Sequence, residues 1–411
     1  MRKAIAMAPA HLFMVASLPV KRKRLSQEVF LGCCWLLGLA IPLYFAGQFS
    51  FMVNMILSVW AWATGMKMGV WLFSLSMDER RQRKSFASTL FSWRQRPPNQ
   101  AEPPSTPEWR DIPLQPFLWR YLTCQIVFDS LAVFFQHVDS QRPVRVLAQL
   151  IHWWDRSYVP TESFASIMMS FGFCILFCVY LQLQLQVTYD AFVLCYCALY
   201  QVLPWIDQRM QSSAKKPMSL GAIKARAQRM MWMRDLKHYL ESTLTMPPLF
   251  DSPWQTDSLR DFWSRRWHTI YNDCFYRLGY KPTRQLMISM GIRGVACRLV
   301  PALAVFALSG MMHEYFLYCS TGPRLYYSHW VGGLQCLFFA CQTLGIAIGD
   351  RLIKKGWAGW VWAVFYMVMT SHLFVVPYIL TGYMYMDKLS FAPLFEKAVL
   401  AGKTVWSMPL I

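Results

Sequence analysis

Two ionisable residues, His313 and Glu314, sit in the apolar run "PALAVFALSGMMHEYFLY" at 301–318. Such groups inside a membrane span cost roughly 3 kcal/mol on insertion scales and face a cavity or a partner, which makes them candidate functional residues. A neutral imidazole, with an ordinary pKa near about 6.5, can take the proton of an alcohol. Ser309 lies one turn earlier on the same face. A histidine hydrogen-bonded between helices fits His313 equally well, and His372 in "TSHLFVV" is a competing intramembrane imidazole.

A second stretch, "SLRDFWSRRWHTIYNDCFYR" at 258–277, mixes arginines, aromatic rings and His268. Pro247, Pro248 and Pro253 exclude a helix before it, and Ser258 followed by Asp261 forms a capping-box pattern. The pattern predicts a helix from about Leu259. On that helix Asp261, Arg265, His268 and Asn272 share a polar stripe, and Trp263, Trp267, Ile270 and Cys274 an apolar one. Such a segment suits an interface where something charged meets something greasy. A juxtamembrane helix with snorkelling arginines and a tryptophan belt has the same composition. What separates the readings is company. Cations that can hold a phosphate-bearing donor lie one short link upstream of an intramembrane base, which suggests a transferase: an activated donor enters from the cytoplasm and a lipophilic acceptor from the bilayer.

These residues must be positioned by membrane helices. The chain has 411 residues, 55% of them apolar, 16% aromatic and only 15% charged, a balance that points to lipid. Windows long enough for a bilayer core of about 30 Å fall at 29–49, 51–75, 121–136, 164–187, 192–206, 295–318, 330–348 and 357–383. The expected fold is therefore all-α: a polytopic integral membrane protein of about eight transmembrane helices, with cytoplasmic amphipathic helices and re-entrant segments possible, in a single multi-pass domain over 1–411. The apolar segment 4–20, broken by Pro9, His11 and Pro19, is a weaker candidate for an anchor or interfacial arm.

The net charge of +19 lies in the loops, so it reads as a positive-inside signal and not as a nucleic-acid surface. Lys21–Arg24, the loop opening with "DERRQRK" at 78–84, the segment 208–290 and "RLIKKG" at 351–356 are all expected on the cytoplasmic side. Three spans between the second and third of these would put them on opposite sides, and 192–206, the shortest, is the first suspect for a segment that does not cross. The stretch "RQRPPNQAEPPSTPEW" at 94–109 reads as an extended loop. The sequence "SLGAIKARAQRMMWMRDLKHYLES" reads as a helix, lying on an anionic membrane surface or simply solvated. Twelve cysteines without a CxxC pair suggest packing residues, with no disulfide framework and no metal site.

"MPPLFDSPWQTDSLRDFWSRRWH", followed some forty residues later by "LSGMMHEY", resembles the wax synthase-like branch of the membrane-bound O-acyltransferases. The match covers 247–315, and the two motifs stand in the family's order and spacing. The branch includes plant wax ester synthases and fungal acetyltransferases that modify terpenoids and related natural products. The resemblance implies acyl-CoA as cosubstrate, with no permanently bound cofactor, and His313 as the catalytic histidine. His268 then becomes a second catalytic candidate, and Arg265, Arg266, Trp263 and Trp267 candidates for holding the donor. Related sterol and diacylglycerol acyltransferases have an asparagine after the motif tryptophan, whereas this chain has His268 after Trp267, an imidazole where they carry an amide. The overall pattern looks closest to the fungal members and so favours acetyl-CoA as donor and a hydroxylated terpenoid or meroterpenoid as acceptor. Long-chain wax ester synthesis is the alternative. A transporter with a His313, Glu314 and Asp129 proton relay is the alternative of another class. The expected location is the endoplasmic reticulum membrane, in contact with membrane lipid and not with nucleic acid.

Overall fold

The computed structural model describes residues 5, 7–17, 25–83, 86–90, 108–151, 161–212, 219–328 and 332–383. Among them there is no strand, and eight helices are long: α1 (Leu25–Tyr44), α2 (Phe51–Gly69, prolonged by a π-helical turn over Val70–Ser74), α3 (Gln115–Gln136), α4 (Phe164–Ser212), α5 (Leu220–Leu244), α6 (Ala296–Ser328), α7 (Leu334–Leu352) and α8 (Trp357–Leu380). Six of them, α1, α2, α3, α4, α6 and α8, are long and apolar enough to cross a membrane. The chain is an all-α polytopic membrane protein.

Two of the expected spans differ. Residues 192–206 form no separate crossing, because α4 runs on without a turn for 49 residues, about 74 Å at 1.5 Å per residue and more than twice an apolar core of about 30 Å. Removing that reversal resolves the conflict between the basic loops. The other difference is α7, which is helical but falls below the apolarity of a span because it carries Gln335, Gln342, Thr343, Asp350 and Arg351. Gln335 and Gln342 are fully buried, so this polarity faces protein. The predicted loop at 94–109, except its last two residues, and Lys21–Arg24 lie outside the described residues.

One compact unit comprises Met1–Gln95, Val138–Cys178 and Ser252–Leu389. Its helices approach closely through small residues, as expected where lipid competes for apolar surface. A Cβ on Gly310 would lie 2.7 Å from the Cα of Cys336, which brings α6 against the start of α7. Glu314 fastens the same crossing: its carboxylate accepts from the backbone N–H of Gln335 (2.9 Å) and Cys336 (3.4 Å) and from the Tyr326 hydroxyl. An acidic side chain at a helix N-terminus satisfies donors the helix cannot satisfy itself. Farther along α7, Gly345 and Gly349 form a G-x-x-x-G pair that takes the rings of Tyr366 and Trp362 from α8. Both rings hydrogen-bond back, Tyr366 to the Cys341 carbonyl (2.7 Å) and Trp362 to that of Gly345 (2.9 Å). The short helix Ala8–Ala16 joins the core through Phe13, packed 4.7 Å from Phe86.

Three of the basic segments converge in this unit. Arg277 reaches Glu79 (4.0 Å), Arg260 pairs with Asp350, and the Gly356 N–H donates to the Asp257 carbonyl (3.3 Å). These contacts tie the segment that carries Asp257, Arg260 and Arg277 to the residues that follow α2 and to both ends of the α7–α8 connection.

The other unit comprises Arg96–His137, Val179–Asp251 and Ser390–Ile411. Arg120 of α3 forks onto the buried Asp190 of α4, with one bond at 3.0 Å, and Phe128 stacks on Tyr180 at 4.7 Å. Ser219 caps α5 through the Ala222 N–H. The second half of α5 buries Met233, Leu240 and Leu244 against Val193, Cys197 and Tyr200, and the Tyr200 hydroxyl donates to Glu241 (2.7 Å).

The tightest approach in the first unit is at Gly359, where a Cβ would lie 2.1 Å from the Asp257 carbonyl oxygen. Gly359→Ala should therefore lower stability by about 1–3 kcal/mol, read as a fall in thermal midpoint of the purified chain. Gly172→Ala, with open space around its Cβ, should be neutral or slightly stabilising.

Candidate functional site

The site starts from the backbone at Ser258. Its hydroxyl accepts the Asp261 N–H at 3.2 Å, so the helix starts at Leu259 as the capping pattern predicts. It does not continue to Cys274. After Leu259–Asp261 the backbone widens into a π-helical turn, Phe262–Arg266, closed by the Trp267 N–H on the Phe262 carbonyl, and Trp267 itself is extended (φ −80°, ψ 140°). The expected stripes thus break after Arg266. His268 follows in irregular backbone, and after a turn at Ile270 and Tyr271 Asn272 opens a separate helix, Asn272–Phe275.

The cause is visible at Asp261, which is 4% exposed. Its carboxylate accepts from Arg265 Nε (2.6 Å) and Arg266 Nε, and from the Thr256 hydroxyl (3.3 Å) and Asp257 N–H (3.4 Å). One carboxylate clamps two successive arginines, and the wider turn lets both reach it. Burial alone would raise the Asp261 pKa, but the hydrogen bonds from Arg266 and Arg265 outweigh it and hold the pKa below the ordinary carboxylate value. The Arg265 side chain remains 68% exposed, and Arg266 also donates to the Ser252 carbonyl (3.2 Å).

From this clamp an aromatic path runs to His313. Trp267 stacks on Phe262 (5.3 Å), while Trp263 packs against Phe306 (5.9 Å) and Phe339 (5.8 Å), its indole N–H donating to Gln342 (3.3 Å). Phe339 in turn lies face to face with the His313 ring (5.0 Å, 20°), and Phe374 meets that ring edge-on (5.4 Å). His268 joins the path through its neighbour Trp267, ring to ring at 5.9 Å, and Trp267 meets Trp263 at 6.1 Å. The six expected site residues therefore belong to one neighbourhood, with the arginines directed at Asp261.

His313, near the middle of α6, is hydrogen-bonded through Nδ1 to the Tyr378 hydroxyl of α8 at 2.9 Å. Nε2 has no hydrogen-bond partner among the described residues. In the tautomer in which Nδ1–H donates to Tyr378, Nε2 carries a free lone pair and can accept a proton. The competitor, His372, is 2% exposed, with Nε2 hydrogen-bonded to Ser170 (2.7 Å) and its ring against Phe171 (4.6 Å). It ties α8 to α4. Tyr378 escaped the sequence reading: it lies 65 residues from His313, and no local pattern marks a tyrosine as an imidazole partner.

Burial pushes the pKa of the half-buried His268 down to about 4. Between about pH 6.5, the ordinary value, and about 4, the unfolded chain binds a proton that the folded one does not, so stability falls as pH drops through that window. His268→Asn should flatten this acid limb. Thermal midpoints at pH 7.5 and 4.5 would show a smaller shift in the variant; an equal shift would assign the acid sensitivity elsewhere.

Comparison with known proteins bears on this same segment. Residues 246–341 match the profile of the membrane bound O-acyl transferase family. A long-chain-alcohol O-fatty-acyltransferase of Simmondsia chinensis is 31% identical over 119 residues, 28% of this chain and 31% of the relative. The acetyltransferase aurG of Calcarisporium arbuscula is 28% identical over 146 residues, 32% of this chain and 34% of the relative. An acyl-CoA–sterol O-acyltransferase of Arabidopsis thaliana is 34% identical over 73 residues, 18% and 21% respectively. The chain thus spans about a third or less of the length of these relatives. Over the segment that carries both the tryptophan–arginine motif and His313, the chain is similar to the membrane bound O-acyl transferase family, in its wax synthase-like branch.

Proposed function

We propose that this protein transfers an acyl group from acyl-CoA to the hydroxyl of a lipophilic alcohol, with His313 as general base. The observation that carries the reading is an intramembrane imidazole fixed at one nitrogen by Tyr378, its other nitrogen unpartnered among the described residues, and joined by a run of aromatic rings to the motif that the family profile matches. The alcohol oxygen attacks the thioester carbonyl as its proton passes to Nε2. The carbon–sulfur bond then breaks, and the proton leaves with the CoA sulfur as a thiol, so base and proton balance over one turnover. Tyr378 is a positioning residue: it sets the tautomer and supports the imidazolium that forms. Trp263 and Trp267 flank the donor's approach, Arg265 presents charge to it, and His268 stands beside the base as a neutral neighbour.

For the finer assignment we favour acetyl transfer to a hydroxylated terpenoid or meroterpenoid, in the endoplasmic reticulum membrane. Two things support it: the similarity to aurG, and the rings of Phe339 and Phe374 packed against His313, which favour a short acyl group. Wax ester synthesis is the second reading, favoured by the Simmondsia relative. A proton-relay transporter is disfavoured because Glu314 is occupied by the N-terminus of α7 and Tyr326, and Asp129 accepts from Gln125 (3.1 Å).

His313→Ala should lower ester formation by about 10²- to 10⁴-fold with expression intact; unchanged turnover would reject the base. Tyr378→Phe should lower kcat and shift its pH profile while KM for the donor stays put, which a purely structural tyrosine would not do. His372→Gln, which can keep the bond to Ser170, should retain activity. With microsomes offered labelled acetyl-CoA and palmitoyl-CoA, the proposal expects acetyl esters; palmitoyl esters alone would establish the second reading.

A further inference from the structure

Where α7 ends, the first compact unit encloses a cavity of about 80 Å³, lined by Ser258, Arg260, Asp350, Lys354, Lys355 and Trp362 among others. We propose that this cavity seats the diphosphate of the acyl-CoA donor, held by Lys354 and Lys355. The inference rests on the acyl-CoA reading above.

Three observations support it. First, the lining named here carries three cations and one anion, and Arg260 is already committed to Asp350. Lys354 and Lys355 are exposed and have no ion-pair or hydrogen-bond partner among the described residues. A lysine ammonium is a compact point charge well suited to phosphate. Second, the cavity is small and opens between charged side chains, so it suits the charged part of the donor and not the adenine. Third, its apolar lining, Leu259, Ile346 and Trp362, belongs to the same cluster as Phe339 and Phe374, which enclose His313. Phe339 and Asp350 are both on α7, and the helix rises about 16 Å between them. That separation is of the scale of the pantetheine arm linking the diphosphate to the thioester. Phosphate at Lys354 and Lys355 would therefore let the arm run along α7 and bring the sulfur to the imidazole.

A lipid phosphate offers the same chemistry, so the test separates the two sources. The full chain is reconstituted in nanodiscs of phosphatidylcholine alone and with added phosphatidylserine, and its affinities for CoA, 4′-phosphopantetheine and pantetheine are measured. The wild type should bind 4′-phosphopantetheine more tightly than pantetheine. In K354Q/K355Q that preference should disappear, and CoA should bind about tenfold more weakly, in both lipid compositions. Unchanged pantetheine affinity would show that the variant is folded. The proposal is overturned if the double variant keeps the preference, if the lysines matter only when phosphatidylserine is present, or if Arg265→Gln removes the preference instead. Lysine-dependent CoA binding is not required by the base assignment: ester formation with CoA affinity unchanged in K354Q/K355Q sinks this inference alone, whereas lysine-dependent CoA binding with full turnover in His313→Ala sinks His313 as base alone.

Discussion

An imidazole halfway along an apolar helix must be hydrogen-bonded, because a buried polar group left unsatisfied costs about 1–3 kcal/mol. His313 meets that demand with Nδ1 alone, through the Tyr378 hydroxyl. The bond fixes where α6 and α8 can lie relative to each other, since both partners are side chains with little reach to spare. It also makes α7 necessary, because Phe339 of α7 covers the face of the same ring. Glu314, the next residue, then holds the start of α7 by its backbone N–H groups. Neighbouring ionisable residues thus divide two tasks: one is structural, and the other is free at one nitrogen for chemistry.

The motif segment answers to a second constraint. Asp261 is buried and charged, and a carboxylate in that position must be paired and hydrogen-bonded. Arg265 and Arg266 supply the charge, Thr256 and the Asp257 backbone the remaining donors. The clamp turns Trp263 toward Phe339, and the close approach of Asp257 to Gly359 presses the segment onto the start of α8. The same three helices that enclose the imidazole therefore also hold the motif. That arrangement brings a basic surface and an apolar enclosure within one aromatic cluster, as a reaction between a charged donor and a lipophilic acceptor requires.

Much of this was legible in the sequence where the physics is local. Ser258 and Asp261 mark a helix start because a cap is a contact across three residues. The apolar windows mark α1, α2, α3, α6 and α8 because lipid-facing helices advertise themselves by composition. Legibility failed where a residue's role is set at long range. The π-helical turn at Phe262–Arg266 depends on a carboxylate shared by two arginines, and helical stripes projected through it placed His268 and Asn272 on a face that does not exist. The run 192–206 looked like a span because hydropathy cannot tell a new helix from the continuation of an old one. The window 330–348 reads as a span because hydropathy averages over Gln335 and Gln342, whose burial against protein is set by the neighbouring helices. Tyr378, in α8, gave no signal at all.

The central claim is that His313, and not His372, meets the donor's thioester. A cryo-EM structure of the full chain with a non-cleavable thioether analogue of acetyl-CoA tests it most directly. The account predicts the analogue's carbonyl carbon beside Nε2 of His313, with the Tyr378 bond intact. A carbonyl carbon beside His372, or on a face of α6 away from Phe339, would contradict it.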